Sequence, residues 1–359
     1  MNDYIIFRRM RLYMYRKSLK SIAVVAFMSL ILTTALSIGP VKAENSKIVR
    51  MSGVNRYATA ARVAKVNWPN GSDNVVLVSG EQYADAASAS VLAKKLDAPI
   101  ILTTQNTLDP YAKDEIDMLK PKVIYVIGGV GSISQNIRNE LKDNYALAEL
   151  GGANRYETNV KIADRLVKLG VDPSNVVIAS GNGFSDALSA APAAASKEEI
   201  LLLADNNQSL TKPVVDFIKT NKSNAVVVGT ENVINDTIYN SLGATKRIDG
   251  GADRFDTNLK VLDAFKDSFK AGKLYVASAS PSVPDNMYAD ALVASAVAGK
   301  YSAPLVLVDK DSTEATNNAV AYIKKNATSD TEIGIVGGCG VISQNFEDEI
   351  APIYNKDSE

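Results

Sequence analysis

A seven-residue pattern written three times at a fixed interval constrains this chain more than any other feature. Gly53-Val54-Asn55-Arg56-Tyr57-Ala58-Thr59 returns as Gly152-Ala153-Asn154-Arg155-Tyr156-Glu157-Thr158. It returns again as Gly251-Ala252-Asp253-Arg254-Phe255-Asp256-Thr257, and successive arginines stand 99 residues apart both times. A period near 100 residues gives each unit enough chain to bury a core of its own. Solenoid repeats of 20–45 residues depend on their neighbours for that.

The rest of the unit repeats as well. Tyr83-Ala84-Asp85-Ala86-Ala87 corresponds to Phe184-Ser185-Asp186-Ala187-Leu188 and to Tyr288-Ala289-Asp290-Ala291-Leu292. Ala98-Pro99-Ile100-Ile101-Leu102-Thr103 corresponds to Glu199-Ile200-Leu201-Leu202-Leu203 and to Ala303-Pro304-Leu305-Val306-Leu307-Val308. Each unit closes with an apolar run into glycine at 123–129, 225–229 and 333–338, and Ile-Ser-Gln-Asn follows in the outer copies. The third copy carries an insertion at 280–286, rich in Ser and Pro, that reads as a longer loop.

Within a unit, the short β-branched runs 74–79, 99–103 and 122–127 read as strands buried on both faces, the mark of a parallel sheet. Between them, 56–66, 85–96 and 110–119 read as helices, with Asp85 at an N-cap and Pro110 at N1. Strand–helix alternation predicts a right-handed α/β open sheet. Three units almost without linkers, at 46–144, 145–243 and 244–355, predict a compact pseudo-threefold body, an elongated string being the alternative.

Residues 1–43 read as a secretory signal peptide. A basic run ends at Lys20, an uncharged stretch covers 21–38, and Val41-Lys42-Ala43 offers a small-residue cleavage site. An uncleaved anchor is the competing reading of an apolar stretch of marginal length, and Met10 or Met14 are alternative starts. Removal of this segment takes away seven of the 39 basic residues and one of the 40 acids, so the mature chain has net charge −7. The near-neutral balance of the whole chain belongs to the leader, and nothing in it points to nucleic acid.

The residue inventory excludes whole reaction classes. The chain has no His and one Cys, so Ser-His-Asp and Cys-His machinery, His-ligated metals and intramolecular disulfides are out of reach. The Gly-rich turns at 128–131 and 337–340 resemble phosphate cradles, but no Gly-Lys-Ser/Thr follows, and tight turns needing positive φ explain them better. Glu81 has no Asp-x-Asp companion for a Mg²⁺ site. Cys339 reads as a packing residue, with no cation cluster to activate it.

Gly-x-x-Arg-Tyr-x-Thr, the Asp-Ala-Leu/Ala helix start and the Pro-Ile-Leu-Leu-like strand resemble the type-2 cell-wall-binding repeats of Clostridium and Bacillus surface proteins. The resemblance covers about residues 46–355 in three copies. It implies Rossmann- or Toprim-like α/β modules in a pseudo-trimer that hold a surface or S-layer-associated protein non-covalently on an anionic secondary wall polymer. Glu199 departs from the proline of that strand in the second copy. Most members carry a further domain, and none of domain size lies outside 46–355. The expectation is therefore a secreted, wall-attached, non-enzymatic protein without metal or cofactor, touching the membrane only through its signal peptide, with other S-layer proteins as possible partners. A structural or adhesive component binding host or matrix is one alternative, and a cryptic wall hydrolase is another.

The repeated polar residues carry two readings each. Arg56, Arg155 and Arg254 suit phosphate or carboxylate, because a guanidinium fork grips an oxyanion bidentately. Three copies add avidity. The competing reading pairs each Arg with the Asp of its own repeat as a fold requirement. Asp85, Asp186 and Asp290 read as helix caps. Thr59, Thr158 and Thr257, one turn after the arginines, brace them, pack, or cap.

Overall fold

Twelve short strands in three sheets set the architecture of the described residues. The computed structural model describes residues 47–81, 83–280 and 288–358. The expected signal peptide and most of the 280–286 insertion lie outside them. The first module runs β1 (Ile48–Met51), α1 (Arg56–Asn67), β2 (Asn74–Ser79), α2 (Tyr83–Leu96), β3 (Ile100–Thr103), α3 (Pro110–Leu119), β4 (Val123–Ile127) and α4 (Gln135–Lys142). The second runs β5 (Ala146–Leu150), α5 (Arg155–Lys168), β6 (Asn175–Ser180), α6 (Ser185–Lys197), β7 (Ile200–Ala204), α7 (Gln208–Asn221), β8 (Asn224–Val228) and α8 (Asp236–Ser241). The third runs β9 (Ala244–Ile248), α9 (Arg254–Ala264), β10 (Lys273–Ser278), α10 (Ala289–Tyr301), β11 (Leu305–Val308), α11 (Glu314–Asn326), β12 (Glu332–Val336) and α12 (Gln344–Ile350).

All strand pairs are parallel, in the orders β3-β2-β4-β5, β7-β6-β8-β9 and β11-β10-β12-β1. The edge strand of each sheet therefore comes from the start of the following repeat. In the third sheet that place is taken by β1, Ile48–Met51 lying beside Ile333–Val336. The array is thus a closed ring of three α/β modules, as the repeat spacing predicts.

Strand side chains alternate between two cores, because successive Cβ atoms point to opposite faces. In the first sheet Val75, Leu77, Ile101, Ile124 and Val126 face an outer core with Ile116 of α3 and Ile137 of α4. Val76, Val78, Ile100, Leu102 and Ile127 face the inner core shared by the modules. At its centre α2, α6 and α10 pack on one another. They are Ala-rich and buried nearly throughout. Small residues allow that approach: a Cβ on Gly299 of α10 would lie 2.9 Å from Ala195 Cβ of α6. Ser90 Oγ and Ser295 Oγ, 2.7 Å apart, join α2 to α10 in the buried interior.

Each junction also carries a helix-to-strand lock. Arg138 of α4 donates to the carbonyls of Gly128 and Ile133 and to Glu149 of β5 at 2.7 Å. Arg247 of β9 donates to the carbonyls of Gly229 and Ile234 and lies 4.8 Å from the ring centroid of Tyr239 in α8. Arg50 of β1 donates to the carbonyls of Gly337 and Ile342 and to Glu347 of α12 at 2.9 Å. Arg138, Tyr239 and Glu347 are equivalent helix positions. Glu149, Arg247 and Arg50 are equivalent strand positions, opposite Val126, Val227 and Ile335. A guanidinium satisfies the same two carbonyls every time, delivered from the helix once and from the strand twice.

Candidate functional site

The repeated heptapeptide is the turn between the first strand and first helix of each module. Asn55, Asn154 and Asp253 adopt extended backbone and cap α1, α5 and α9, their side-chain oxygens accepting amides of the first turn. Such caps contribute about 1 kcal/mol each. The repeated glycine passes so close to the helix that a Cβ on Gly53 or Gly152 would stand 2.4 Å from Ala58 Cβ or Glu157 Cβ. The repeated threonine accepts the amide of that glycine, at 3.1 Å for Thr59, 3.0 Å for Thr158 and 2.9 Å for Thr257. Each of these threonines is buried.

With the turn fixed, the arginine emerges at the first helical position, half-buried. Arg56, Arg155 and Arg254 donate through Nη1 to the carbonyls of Gly80, Gly181 and Ala279, at 2.6, 2.6 and 3.2 Å. These carbonyls follow β2, β6 and β10 of the same module. The outer part of the side chain reaches into the preceding module. Arg254 stacks on Phe184 at 4.6 Å and Arg56 lies 6.0 Å from the Tyr288 ring centroid. Phe184 and Tyr288 themselves pack at 5.2 Å, and the Tyr288 hydroxyl donates to the Glu81 carbonyl at 3.1 Å. The aromatic position just before each Asp-containing helix start was visible as a repeat in the sequence. Its part in the junction was not.

The aspartates are not caps. The N-cap residues of α6 and α10 are Phe184 and Tyr288, without a side-chain cap bond, and Asp186 and Asp290 stand at the second helical position. Their carboxylates point across to the glycine that follows β4, β8 or β12 of the same module. A Cβ at Gly128 or Gly229 would meet Asp85 Oδ2 or Asp186 Oδ2 at 2.5 Å, and one at Gly337 would meet Asp290 Oδ2 at 3.0 Å. Gly128, Gly229 and Gly337 all have positive φ, at 95°, 115° and 128°. Both the backbone and the carboxylate thus require glycine there.

Nor does the charge pairing stay within a repeat. The guanidinium acting on Asp85 is Arg155, and the one acting on Asp186 is Arg254. Burial pushes Asp85 above the usual carboxylate range against the pull of Ser132, which donates to it at 3.1 Å, and of Arg155. Burial likewise raises Asp186 to about 6 despite Arg254. At the ring closure, Asp290 and Arg56 line one cleft.

The site is therefore a cleft between modules. Between the first and second it holds about 480 Å³, walled by Asp85, Gly129, Gly131, Ser132, Arg155 and Asn182. Between the third and first it holds about 310 Å³, walled by Arg56, Asp290, Gly338, Gly340 and the Gly53–Asn55 turn. A guanidinium, helix N-terminal amides and glycine turns facing one opening suit an oxyanion or a sugar hydroxyl. Cys339 is exposed in the Gly338–Gly340 turn, so it is not a packing residue. Among the described residues no His/Cys/Asp/Glu group is arranged to hold a metal, and no helix is long and apolar enough to cross a membrane.

A ring of three parallel α/β modules with an arginine and an aspartate facing across its junctions, and a cleft at two of them, defines a repeat protein built around its module boundaries. The sequence model for cell wall binding domain 2 matches residues 50–138, 149–239 and 247–347, and the chain belongs to that family. Among solved structures it is similar to Cwp6 from Clostridium difficile, with TM-score 0.73 and 26% identity, over 85% of this chain and 48% of that one. Cwp8 from Clostridium difficile shares the fold with TM-score 0.74 and 24% identity, over 93% of this chain and 55% of that one. The amidase enhancer of Bacillus subtilis (strain 168) is 27% identical over 304 residues, 84% of this chain and 40% of that protein. N-acetylmuramoyl-L-alanine amidase LytC of the same strain is 29% identical over 272 residues, 75% of this chain and 52% of that protein. The chain spans about half the length of these relatives. The family and its relatives give it a cell-wall-binding character and a wall or surface location.

Proposed function

We propose that this is a secreted protein held without catalysis on an anionic secondary wall glycopolymer, through the clefts at its module junctions. The observation that carries the reading is the recurrence of a half-buried arginine at the mouth of each junction, beside helix amides and glycine turns. Arg56, Arg155 and Arg254 contact polymer phosphate or carboxylate. Asp85, Asp186 and Asp290 set the clefts from behind, and Thr59, Thr158 and Thr257 hold the turns that present the arginines. With net charge −7 outside the leader, long-range attraction does not favour an anionic partner. Placed arginines, summed over one polymer strand, supply the retention. The relatives named as an amidase and an amidase enhancer share this segment as part of longer chains, which fits a binding rather than a cleaving role. The chain itself contains no His.

Sedimentation with purified Gram-positive walls tests the reading. Binding to intact walls and loss of binding after hydrofluoric acid strips the polymer is the expected result. Equal binding to stripped walls overturns it, and release of labelled peptidoglycan fragments by the protein alone overturns the non-catalytic part.

A further inference from the structure

The three junctions share a backbone plan but not a lining. The turn after β4 reads Gly128-Gly129-Val130-Gly131, and that after β12 reads Gly337-Gly338-Cys339-Gly340. The turn after β8 reads Gly229-Thr230-Glu231-Asn232. Gly129 and Gly131 wall the first cleft, and Gly338 and Gly340 wall the ring-closing one. Their counterparts between the second and third modules are Thr230 and Asn232. Gly129 faces the Gly152 carbonyl across the first cleft, 3.3 Å from where its Cβ would stand, and a Cβ on Gly338 would lie 3.9 Å from Ser52. In the middle turn that direction is filled. The Thr230 methyl lies 2.7 Å from the position of a Cβ on Gly250, against the strand-to-helix turn that presents Arg254. Glu231 is exposed beside it, where the other turns carry Val130 and Cys339.

We propose that the ring is unequal. Oxyanion-bearing wall glycan occupies the cleft between the first and second modules and the cleft between the third and first, while Thr230 and Glu231 obstruct the one between the second and third. Thr230 narrows the opening sterically. Glu231 puts a carboxylate at the rim, where an incoming phosphate or carboxylate meets like charge. Arg254 keeps its junction role on Phe184 and the Ala279 carbonyl and contributes less to retention than Arg56 or Arg155. The inference rests on the reading that the junction clefts take the polymer.

The test uses the full chain and purified polymer-bearing walls as the probe, with thermal melts confirming that each variant is folded. Opening the middle cleft with Thr230→Gly and Glu231→Gly tightens wall binding by about 3- to 10-fold, the gain expected from one more linked contact. Adding Arg254→Gln cancels that gain. The reciprocal graft, Gly129→Thr with Val130→Glu, weakens binding about 10-fold by removing one of the linked contacts. Gly338→Thr with Cys339→Glu does the same at the ring closure and serves where the first graft fails to fold. An opened variant no tighter than the parent, with binding still dependent on the polymer, overturns the inequality and leaves the polymer reading standing. Parent binding that survives hydrofluoric acid stripping removes the polymer reading and this inference with it.

Discussion

At the residue scale, the junctions distinguish themselves by small matched substitutions. Asn159 donates to Ser88 Oγ at 3.1 Å and to the Leu201 carbonyl, and accepts the Leu203 amide. Asn258 repeats this with Ser189, Leu305 and Leu307. At the ring closure the corresponding positions are Ala60 and Val293, both buried and apolar. A polar pair has changed to an apolar pair on both sides of the junction at once. Asn159→Ala alone strands the Leu201 carbonyl and the Leu203 amide, and a loss of about 2–3 kcal/mol is expected by chemical denaturation. Ser88→Val combined with Asn159→Ala recovers part of it by filling the space as Val293 does. Failure of the double variant to improve on Asn159→Ala removes the equivalence.

Asp186 supplies the pH dependence at this scale. Its pKa rises from 3.8 to about 6 on folding because burial penalises the carboxylate. The folded state therefore holds the proton more tightly, and the stabilisation is full below about pH 4 and lost as pH rises through about 6. Melting temperatures of the parent and Asp186→Asn between pH 4 and 7.5 check the sign. The variant gains on the parent as pH rises through that window. A constant difference shows that the carboxylate does not titrate with folding.

At the element scale, each edge strand is matched to its sheet by a helix–strand pair. Arg138–Glu149 and Arg50–Glu347 are the same contact with the charges exchanged. Placing β1 on the first sheet would set Arg50 against Arg138, and placing β5 on the third would set Glu149 against Glu347. Like charges at a half-buried site oppose those wrong pairings. Arg138 is only 2% exposed, so Arg138→Glu alone is expected to cost about 3–5 kcal/mol, the range for breaking a buried pair. Adding Glu149→Arg restores a large part, since that combination already exists between β1 and α12. Equilibrium urea unfolding of the two singles and the double isolates the coupling. A double variant as unstable as the sum of the singles shows the pair is not reversible at this junction.

The elements were unevenly legible in the sequence. Strands β2 and β4 and helix α3 were readable to within a residue, because continuous β-branched runs and Pro110 at the first helical position are local signals. The Ile-Ser-Gln-Asn repeat was visible, yet its meaning is a helix start. Ser134, Asn235 and Ser343 cap α4, α8 and α12. The edge strands β1, β5 and β9 gave no comparable signal. They are four or five residues long and largely exposed or half-buried, and β5 reads Ala-Leu-Ala-Glu-Leu. Only the sheet that accepts them makes them strands.

At the scale of the whole molecule, ring closure depends on β1. Without it, β12 presents a bare parallel edge, and the Gly337 and Ile342 carbonyls lose their guanidinium. A chain lacking residues 47–51 is expected to melt about 5–10 °C lower, as follows from losing a few kcal/mol in a domain of this size. It is also expected to self-associate through the uncovered edge. Light scattering with size-exclusion chromatography reads the second effect. A truncated chain that stays monomeric with the parent melting point refutes the dependence on β1.

The sequence by itself determined the module, its threefold repetition and the polar residues that recur, because these follow from local propensity, periodicity and copying of one unit. It also determined that no His-based chemistry is available. Only the tertiary structure decided which partners those residues meet. Arg155 faces Asp85 of the module before it, β1 closes the sheet of the module furthest from it in sequence, and the Asp residues look across to glycine turns instead of capping their helices. The physical reason is that the first two contacts lie between units and the third joins elements far apart within one unit. A repeat states what each unit contains, whereas the pairing across a junction is set by how closed packing around a common core brings the end of one unit against the start of the next.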